Sequence, residues 1–191
     1  ASGGRDGVLR VFVARTGEND TGAELARLSA HRGAIRSLVF STDNLRIVAA
    51  GADRTVRVFD IAKAVEIERG TFPGGFRDVQ LVPGQLPRIV GRRGEGLDLW
   101  DWKADKLVRR FETPEGRPVP FALPADGERL GAVLQPGTLT LWQTEVGHRT
   151  YFMDLQGRAS ALALGPTHVV VGQQNGKLAV WALAQAGTPT I

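Results

Sequence analysis

The chain of 191 residues is 42% hydrophobic and 23% charged, and its 24 basic and 20 acidic side chains give a net charge of +4. This composition is that of a globular domain and excludes a disordered chain. The absence of cysteine excludes disulfide bonds, a cysteine nucleophile and thiolate metal ligands.

The chain begins with two predicted β-strands. Residues 7–14 alternate apolar and other side chains, which is typical of a strand buried on one face. Residues 21–31, TGAELARLSAH, have the apolar spacing of a helix. Their place in the repeat described below nevertheless predicts a strand over about residues 22–29, because position in a repeat outranks local propensity.

The pattern of residues 7–14 returns at regular intervals along the chain. Five alternating segments each hold an aromatic side chain at the same place: Phe12, Phe59, Trp100, Trp142 and Trp181. Successive members lie 47, 41, 42 and 39 residues apart. A second apolar series has spacings of 41, 42 and 41 residues: Phe40, Leu81, Leu123 and Leu164. Two series with one period predict a structure built from repeats.

Each full repeat is predicted to contain four short strands. The first two are apolar, the third carries the aromatic residue, and the fourth is more polar, as in VEIERGTF. Tight turns separate them, of which Asn175-Gly176 is the clearest hairpin turn. The predicted repeats cover residues 1–29, 30–72, 73–113, 114–155 and 156–183, followed by a tail over 184–191. Two strands in the first repeat, three complete repeats and three strands in the last make seventeen strands.

A repeat of about 40–45 residues, with an aromatic residue followed by Asp in the third strand, resembles the WD40 repeat β-propeller. The resemblance extends over nearly the whole chain. It implies an all-β fold of roughly four blades, each with four antiparallel strands. Because rings of this family usually have more blades, it predicts an incomplete ring or half of a larger propeller, cut within a blade at both ends.

In WD40 repeats, a His, a Ser or Thr, an Asp and a Trp hydrogen-bond in series and hold each blade together. The resemblance assigns such structural roles to these residues: Ser2, Asp6, Phe12, His31, Asp53, Phe59, Trp100, Asp101, Trp142, Asn175 and Trp181. The polar pattern is incompletely kept. Ala49 stands where Ser or Thr is expected, and Gly94 and Pro136 replace the turn Asp.

No residues are predicted to be catalytic, to bind a cofactor or to hold a metal ion. The three histidines, His31, His148 and His168, fall at different places in the repeat, so no two share a ligand-like spacing. No G-x-S-x-G nucleophile motif occurs. The glycine-rich segments 91–96 and 172–178 are interpreted as hairpin turns, because phosphate-binding loops lead into helices. The chain is therefore predicted not to be an enzyme.

Arginines concentrate in the loops at one end of the predicted blades. In the family, the loop before the first strand and the turn before the third strand share the top face, which is the usual docking surface. The candidate partner-binding residues there are Arg32, Arg36, Arg54, Arg77, Arg92, Arg93, Arg117 and Arg158. Guanidinium groups suit the capture of carboxylates and phosphates, so they predict an acidic or phosphorylated protein partner. The alternative is that they are solvated turn residues.

The function predicted from the resemblance is that of a protein-interaction or scaffold module within a larger signalling or assembly protein. Two alternatives stay open: a self-assembly module that closes a propeller between chains, and an accessory domain of an enzyme. Nucleic acid is disfavoured as a partner, because few aromatic residues lie among the arginines to stack on bases. No apolar run reaches the roughly 18 residues of a spanning helix, which predicts a soluble chain without membrane contact. The cytoplasm is favoured, although the sequence leaves the compartment open.

Overall fold

The computed structural model of the chain describes residues 1–13, 22–41, 43–74, 76–84, 87–113, 118–135, 137–155 and 158–183. Within these ranges the chain forms five β-sheets and no helix. Strands that follow one another in sequence are neighbours in each sheet, which is the arrangement of propeller blades. The all-β fold of antiparallel, blade-like sheets expected from the sequence is confirmed.

The sheets are named blades 1 to 5 in chain order. Blade 1 contains β1 (Ser2–Gly3), β2 (Val8–Phe12) and β3 (Glu24–Ser29). Blade 2 contains β4 (Ile35–Phe40), β5 (Arg46–Gly51), β6 (Thr55–Asp60) and β7 (Val65–Thr71). Blade 3 contains β8 (Arg77–Leu81), β9 (Arg88–Arg93), β10 (Gly96–Asp101) and β11 (Lys106–Phe111).

Blades 4 and 5 complete the set. Blade 4 contains β12 (Pro118–Ala122), β13 (Arg129–Leu134), β14 (Thr138–Gln143) and β15 (Arg149–Asp154). Blade 5 contains β16 (Ala159–Leu164), β17 (His168–Gln173) and β18 (Leu178–Ala182). The eighteen strands of the described residues exceed the seventeen predicted by one, the two-residue β1. The repeat boundaries themselves stay a prediction, and the tail over 184–191 lies outside the described residues.

The segment with helical spacing is a strand, as its place in the repeat predicted. β3 pairs antiparallel with β2, from Val8↔Ser29 to Phe12↔Glu24. Within β3, Ala26 is buried, while Leu25 is 62% exposed. Pairing with β2 therefore decides the structure of this segment against its helical spacing.

Two compact units make up the chain. The first comprises Ala1–Leu81, Leu86–Gly91 and Trp100–Lys106, and the second comprises Val82–Gln85, Arg92–Leu99 and Leu107–Ile191. Each unit has its own apolar core, and burial of each large aliphatic side chain there contributes about 1.5–3 kcal/mol.

Among the described residues, two clusters of buried side chains belong to the core of the first unit. The first cluster contains Leu9, Val11, Ala26, Ala30, Ile47, Ala49 and Phe59. The other contains Val48, Ala50, Val56, Val58, Phe72, Val79, Leu81, Ile89 and Trp102. The core of the second unit contains Ala122, Val133, Leu139, Leu141, Leu155, Leu164, Val169 and Val171. Because strands β5 and β6 supply side chains to both clusters of the first unit, blade 2 holds that unit together.

Candidate functional site

Three loops of the first unit meet at one end of blades 1 and 2. They are the turn over residues 4–7, the loop over 30–34 and the turn over 51–54. The carbonyl of Gly7 accepts a hydrogen bond from the His31 N–H at 3.0 Å. A backbone hydrogen bond of 2.8 Å joins the loop over 30–34 to the turn over 51–54. These bonds make the three loops one continuous surface.

Four exposed arginines lie on or beside these loops: Arg5, Arg32, Arg36 and Arg54. We call these four residues the basic end. Arg36 is the extra residue of a β-bulge, since the register of β4 and β5 shifts between Ile35 and Ser37. A bulge turns a side chain away from the regular strand direction. Among the described residues, none of the four arginine side chains forms an ion pair with a carboxylate.

Asp53 lies at the centre of this end, and both of its carboxylate oxygens are hydrogen-bonded within the protein. Its Oδ1 accepts hydrogen bonds from His31 Nδ1 at 2.9 Å and from the Thr55 hydroxyl at 2.8 Å. Its Oδ2 accepts hydrogen bonds from the Arg32 backbone N–H at 2.9 Å and from Arg57 Nη2 at 3.2 Å. The carboxylate therefore holds the loop that carries Arg32 and does not neutralise the exposed guanidinium groups.

The pKa values of this network follow from its hydrogen bonds and its burial. Burial alone would raise the pKa of the Asp53 carboxyl, but hydrogen bonds from Arg32, Thr55 and His31 outweigh it and hold the pKa well below its usual range. Burial lowers the pKa of His31, and the carboxylate of Asp53 only partly offsets that effect. His31 is therefore neutral near pH 7, with its Nδ1 proton donated to Asp53.

Three predicted structural residues occupy the same place in three hairpin turns. Asp6, Asp53 and Asn175 each accept, through a side-chain oxygen, a hydrogen bond from the backbone N–H two residues later. The donor-to-acceptor distances are 3.1, 3.2 and 3.0 Å, respectively. Asp6 is also paired with Arg10 at 2.9 Å. Asp6 and Asp53, the two acids beside the basic end, are thus bound to groups of their own blade.

Asp101, the acid of the Trp-Asp pair, closes the turn that follows its strand. Its Oδ1 accepts hydrogen bonds from the N–H groups of Lys103 and Ala104 at 3.0 and 2.8 Å. Asp60 makes the equivalent bond to Lys63 N–H at 2.9 Å in blade 2. These two carboxylates set the turn between the third and fourth strands.

The five aromatic residues of the third strands differ in burial. Phe59 and Trp142 are each only 3% exposed, and the ring of Trp142 lies 5.8 Å from that of Phe111. Trp100 and Trp181 are partly buried at the margins of apolar clusters. Phe12 is 40% exposed, so the shared sequence position does not bring shared burial. Ser2 is exposed on β1, opposite Arg10.

The sequence predicted Arg92 and Arg93 in an exposed turn, but both lie in β9. Arg92 is buried, which removes it from the candidate docking residues. Arg93 is partly exposed, and its Nη2 lies 2.5 Å from Oδ2 of Asp98, a carboxylate with no exposed surface. Oδ1 of Asp98 lies 3.3 Å from Nη1 of Arg110 on the next strand. Because a buried carboxylate must be paired with a positive charge, the guanidinium group of Arg93 is bound to Asp98 and is not available in a turn.

The remaining predicted arginines are Arg77, Arg117 and Arg158, and they are not assigned to the basic end. Arg158 is exposed in the second unit, just before β16. The backbone of Arg77 begins β8, but its side chain is not described, and Arg117 lies outside the described residues, as does Pro136.

The repeat pattern did not reveal the polar side chains two positions before the third-strand aromatic. Arg57, Asp98 and Thr140 stand there in blades 2 to 4 and are all buried. A polar residue in an otherwise apolar alternating strand is the signal that could have found them. Within the described ranges, no group of three or more His, Asp or Glu side chains could hold a metal ion.

Comparison with known proteins identifies the repeat. A family model described as "WD domain, G-beta repeat" matches residues 22–60, the segment that contains His31, Asp53 and Phe59. These residues are a WD40 repeat. In the part of the chain that the structure describes, no helix is long and apolar enough to cross a bilayer.

Relatives and a solved structure extend the match along the chain. It is 26% identical to a guanine nucleotide-binding protein subunit beta of Arabidopsis thaliana, over 78% of this chain and 42% of that protein. The same protein from Oryza sativa subsp. indica is 25% identical over the same shares. This chain thus spans less than half the length of these relatives. A crystal structure of the computationally designed Ika8 protein matches 95% of this chain and 54% of its own, with a TM-score of 0.64 and 23% identity, a likeness of fold.

Proposed function

We propose that this chain is a non-catalytic protein-interaction module, whose basic end docks an acidic segment of a partner protein. One observation carries the proposal: the acids at this end are bound by other groups of the chain, whereas its arginines are exposed and, among the described residues, unpaired. The acids Asp6 and Asp53 are bound within their own blades. The guanidinium groups of the basic end are exposed and form no ion pair with the described carboxylates. Uncompensated guanidinium groups on rigid loops favour an anionic partner.

The matched relatives support a role in assembly. Their name describes them as subunits of a guanine nucleotide-binding protein, so they work together with other chains. The shared repeat supplies rigid strands that hold the loops in place, and such loops are where binding residues concentrate. In this chain the interaction is placed at the basic end on the strength of its charge alone.

The test is binding of a fluorescein-labelled, glutamate-rich peptide, followed by fluorescence anisotropy at low and moderate salt. The double variant Arg32→Glu, Arg36→Glu is expected to weaken binding by more than about tenfold, because it reverses two charges of the basic end. The matched control is Arg46→Glu, an exposed arginine at the opposite end of β5. It is expected to leave affinity within about twofold. A loss of binding free energy in Arg46→Glu half as large as that in the double variant would show that binding follows net charge and has no site, because the control reverses one charge and the double variant two.

A second candidate, self-assembly between chains, rests on blade 5. Its strand β18 pairs only with β17 among the described strands. Leu178 and Val180 on β18 are 75% and 61% exposed. An unpaired strand edge with apolar side chains favours pairing with another strand. A second copy of the chain is one source of that strand.

A further inference from the structure

Arg54 has a backbone conformation that arginine seldom adopts. Its φ angle is +65°, in the left-handed region. It is the last residue of the turn over 51–54, in which its N–H donates to the Gly51 carbonyl at 3.2 Å. The corresponding turns of blades 1 and 5 have the same hydrogen bond and end in glycine. Those glycines, Gly7 and Gly176, have φ angles of +74° and +81°.

The comparison between blades shows that glycine suits this place. Side chains with a Cβ are strained in the left-handed region, although Asn and Asp tolerate it better than others. Five described non-glycine residues have a positive φ angle: Asn44, Arg54, Ala64, Asp78 and Asp105. Three of them are Asn or Asp, which leaves Arg54 and Ala64 as the strained pair. Backbone strain of this kind is concentrated at functional sites.

The side chain of Arg54 is placed at the surface by the loop beside it. The Phe72 N–H donates to the Arg54 carbonyl at 3.1 Å. A Cβ atom added to Gly74 would lie 3.3 Å from Nη1 of Arg54, so the missing side chain at residue 74 leaves room for the guanidinium group. The neighbouring Asp53 carboxylate is turned into the His31 network and is only 10% exposed. The guanidinium group of Arg54 therefore lies beside Gly74 without a described counter-charge.

We infer that Arg54 is the anchor that captures an anionic group of the docked segment, a side-chain carboxylate or a phosphate ester. This inference rests on the proposed function of the basic end and names the residue that determines its specificity. Arginine presents two parallel N–H donors to such a group, and only arginine gives that geometry together with a permanent charge. The left-handed turn is the conformational cost of placing that side chain beside Gly74.

The test compares Arg54→Gly with Ala64→Gly, which relieves the same kind of strain at the opposite end of blade 2. Both variants are expected to raise the melting temperature by about 2–4 °C, because glycine removes the strain at a positive φ angle. Only Arg54→Gly is expected to weaken binding of the labelled peptides, by about tenfold. Two peptides are used, one rich in glutamate and one carrying a single phosphoserine, and the one whose affinity falls more identifies the anion.

The possible outcomes distinguish failure of the Arg54 anchor from failure of the proposed docking site. Unchanged peptide affinity in Arg54→Gly, with a loss in Arg32→Glu, Arg36→Glu, would overturn the anchor and leave the basic end as the docking site. A melting temperature that falls in Arg54→Gly but rises in Ala64→Gly would show that Arg54 is kept for its packing on Gly74. If neither peptide binds the unaltered chain, or if single-stranded DNA binds more tightly than both, the proposed docking function fails and the anchor with it.

Discussion

Asp53 shows how one carboxylate can organise several loops at once. Its two oxygens accept hydrogen bonds from five groups: two on the loop over 30–34, and the Thr55 N–H, the Thr55 hydroxyl and the Arg57 guanidinium on β6. Arg57 continues the chain of charges to Glu66 on β7 at 3.2 Å. Because a buried charge is stable only when it is paired, this network also explains why Arg57 is buried in an apolar strand.

At the residue scale, His31 is expected to make the chain less stable in acid. Burial lowers the pKa of His31 below its usual 6.5, so the unfolded chain takes up a proton at a higher pH than the folded chain. The free energy of unfolding should therefore be constant above about pH 7 and fall as the pH drops below about 6.5. Asp53, whose pKa is lowered from 3.8, adds a further loss only in stronger acid.

Thermal melting across this pH range measures the effect. His31→Gln is expected to flatten the curve between about pH 7 and pH 5, because glutamine takes up no proton. His148 is exposed, so His148→Gln is the matched control and should keep the slope of the unaltered chain. A slope that persists in His31→Gln would assign the pH dependence to another group.

At the scale of strands, the third strands of blades 1 to 4 each carry one polar side chain two positions before the aromatic residue, and these side chains are bound in different ways. Those side chains in blades 1 to 4 are Arg10, Arg57, Asp98 and Thr140. Arg10 and Arg57 pair with the turn acid four residues before them, Asp6 and Asp53. Where Gly94 replaces the turn acid in blade 3, the strand carries an acid instead, bound by Arg93 and Arg110. In blade 4, Thr140 accepts a hydrogen bond from Arg149 at 3.2 Å.

Strand β10 and the residue after it give a test of the core of blade 3. The aromatic series points to Trp100 as the core residue, but Trp102 is the more deeply buried tryptophan, at 3% exposure. Trp102 lies so close to Gly70 that a Cβ there would meet its ring. Trp102→Ala is therefore expected to lower the free energy of unfolding by about 3–5 kcal/mol, and Trp100→Ala by less. Urea unfolding of both variants measures the difference, and an equal or larger loss in Trp100→Ala would contradict the assignment.

The fourth strands share a bulge that explains part of the apolar surface. The register between third and fourth strands shifts just before the aromatic residue in blades 1, 2 and 4. The extra residue on the fourth strand is Leu25 in blade 1, Ile67 in blade 2 and Thr150 in blade 4. Leu25 and Ile67 are 62% and 47% exposed. A bulge turns its extra side chain out of the ladder, so these exposed residues reflect backbone geometry.

At the scale of the whole molecule, the edge of β18 tests the self-assembly alternative. If two chains pair through this edge, light scattering on the purified chain will give a mass above that of one chain. Val180→Lys should then restore the monomer, because a charge on a strand edge opposes pairing. The matched control is Val65→Lys on β7, the outer strand of a complete blade. A monomeric mass for the unaltered chain would contradict the alternative.

The sequence by itself determined the class of fold, the number of repeats and the position of most strands. These features depend on local order: alternation selects strands, turn residues such as Asn175-Gly176 punctuate them, and a constant spacing of aromatic residues sets the repeat. For the same reason the strand β3 could be predicted against its helical spacing. The two-residue β1 was missed because so short a segment carries no periodicity.

Only the tertiary structure decided which charged side chains are available to a partner. Arg36 and Arg92 look alike in the sequence, yet one is turned outwards by a bulge and the other is buried in β9. The sequence also does not show that Asp98 is buried and paired, because its partner Arg110 comes from another strand. Pairing and burial depend on neighbours distant in sequence, and a periodic pattern contains no information about them. Which arginines remain exposed is thus decided by the folding of the blades, as is the φ angle of +65° at Arg54.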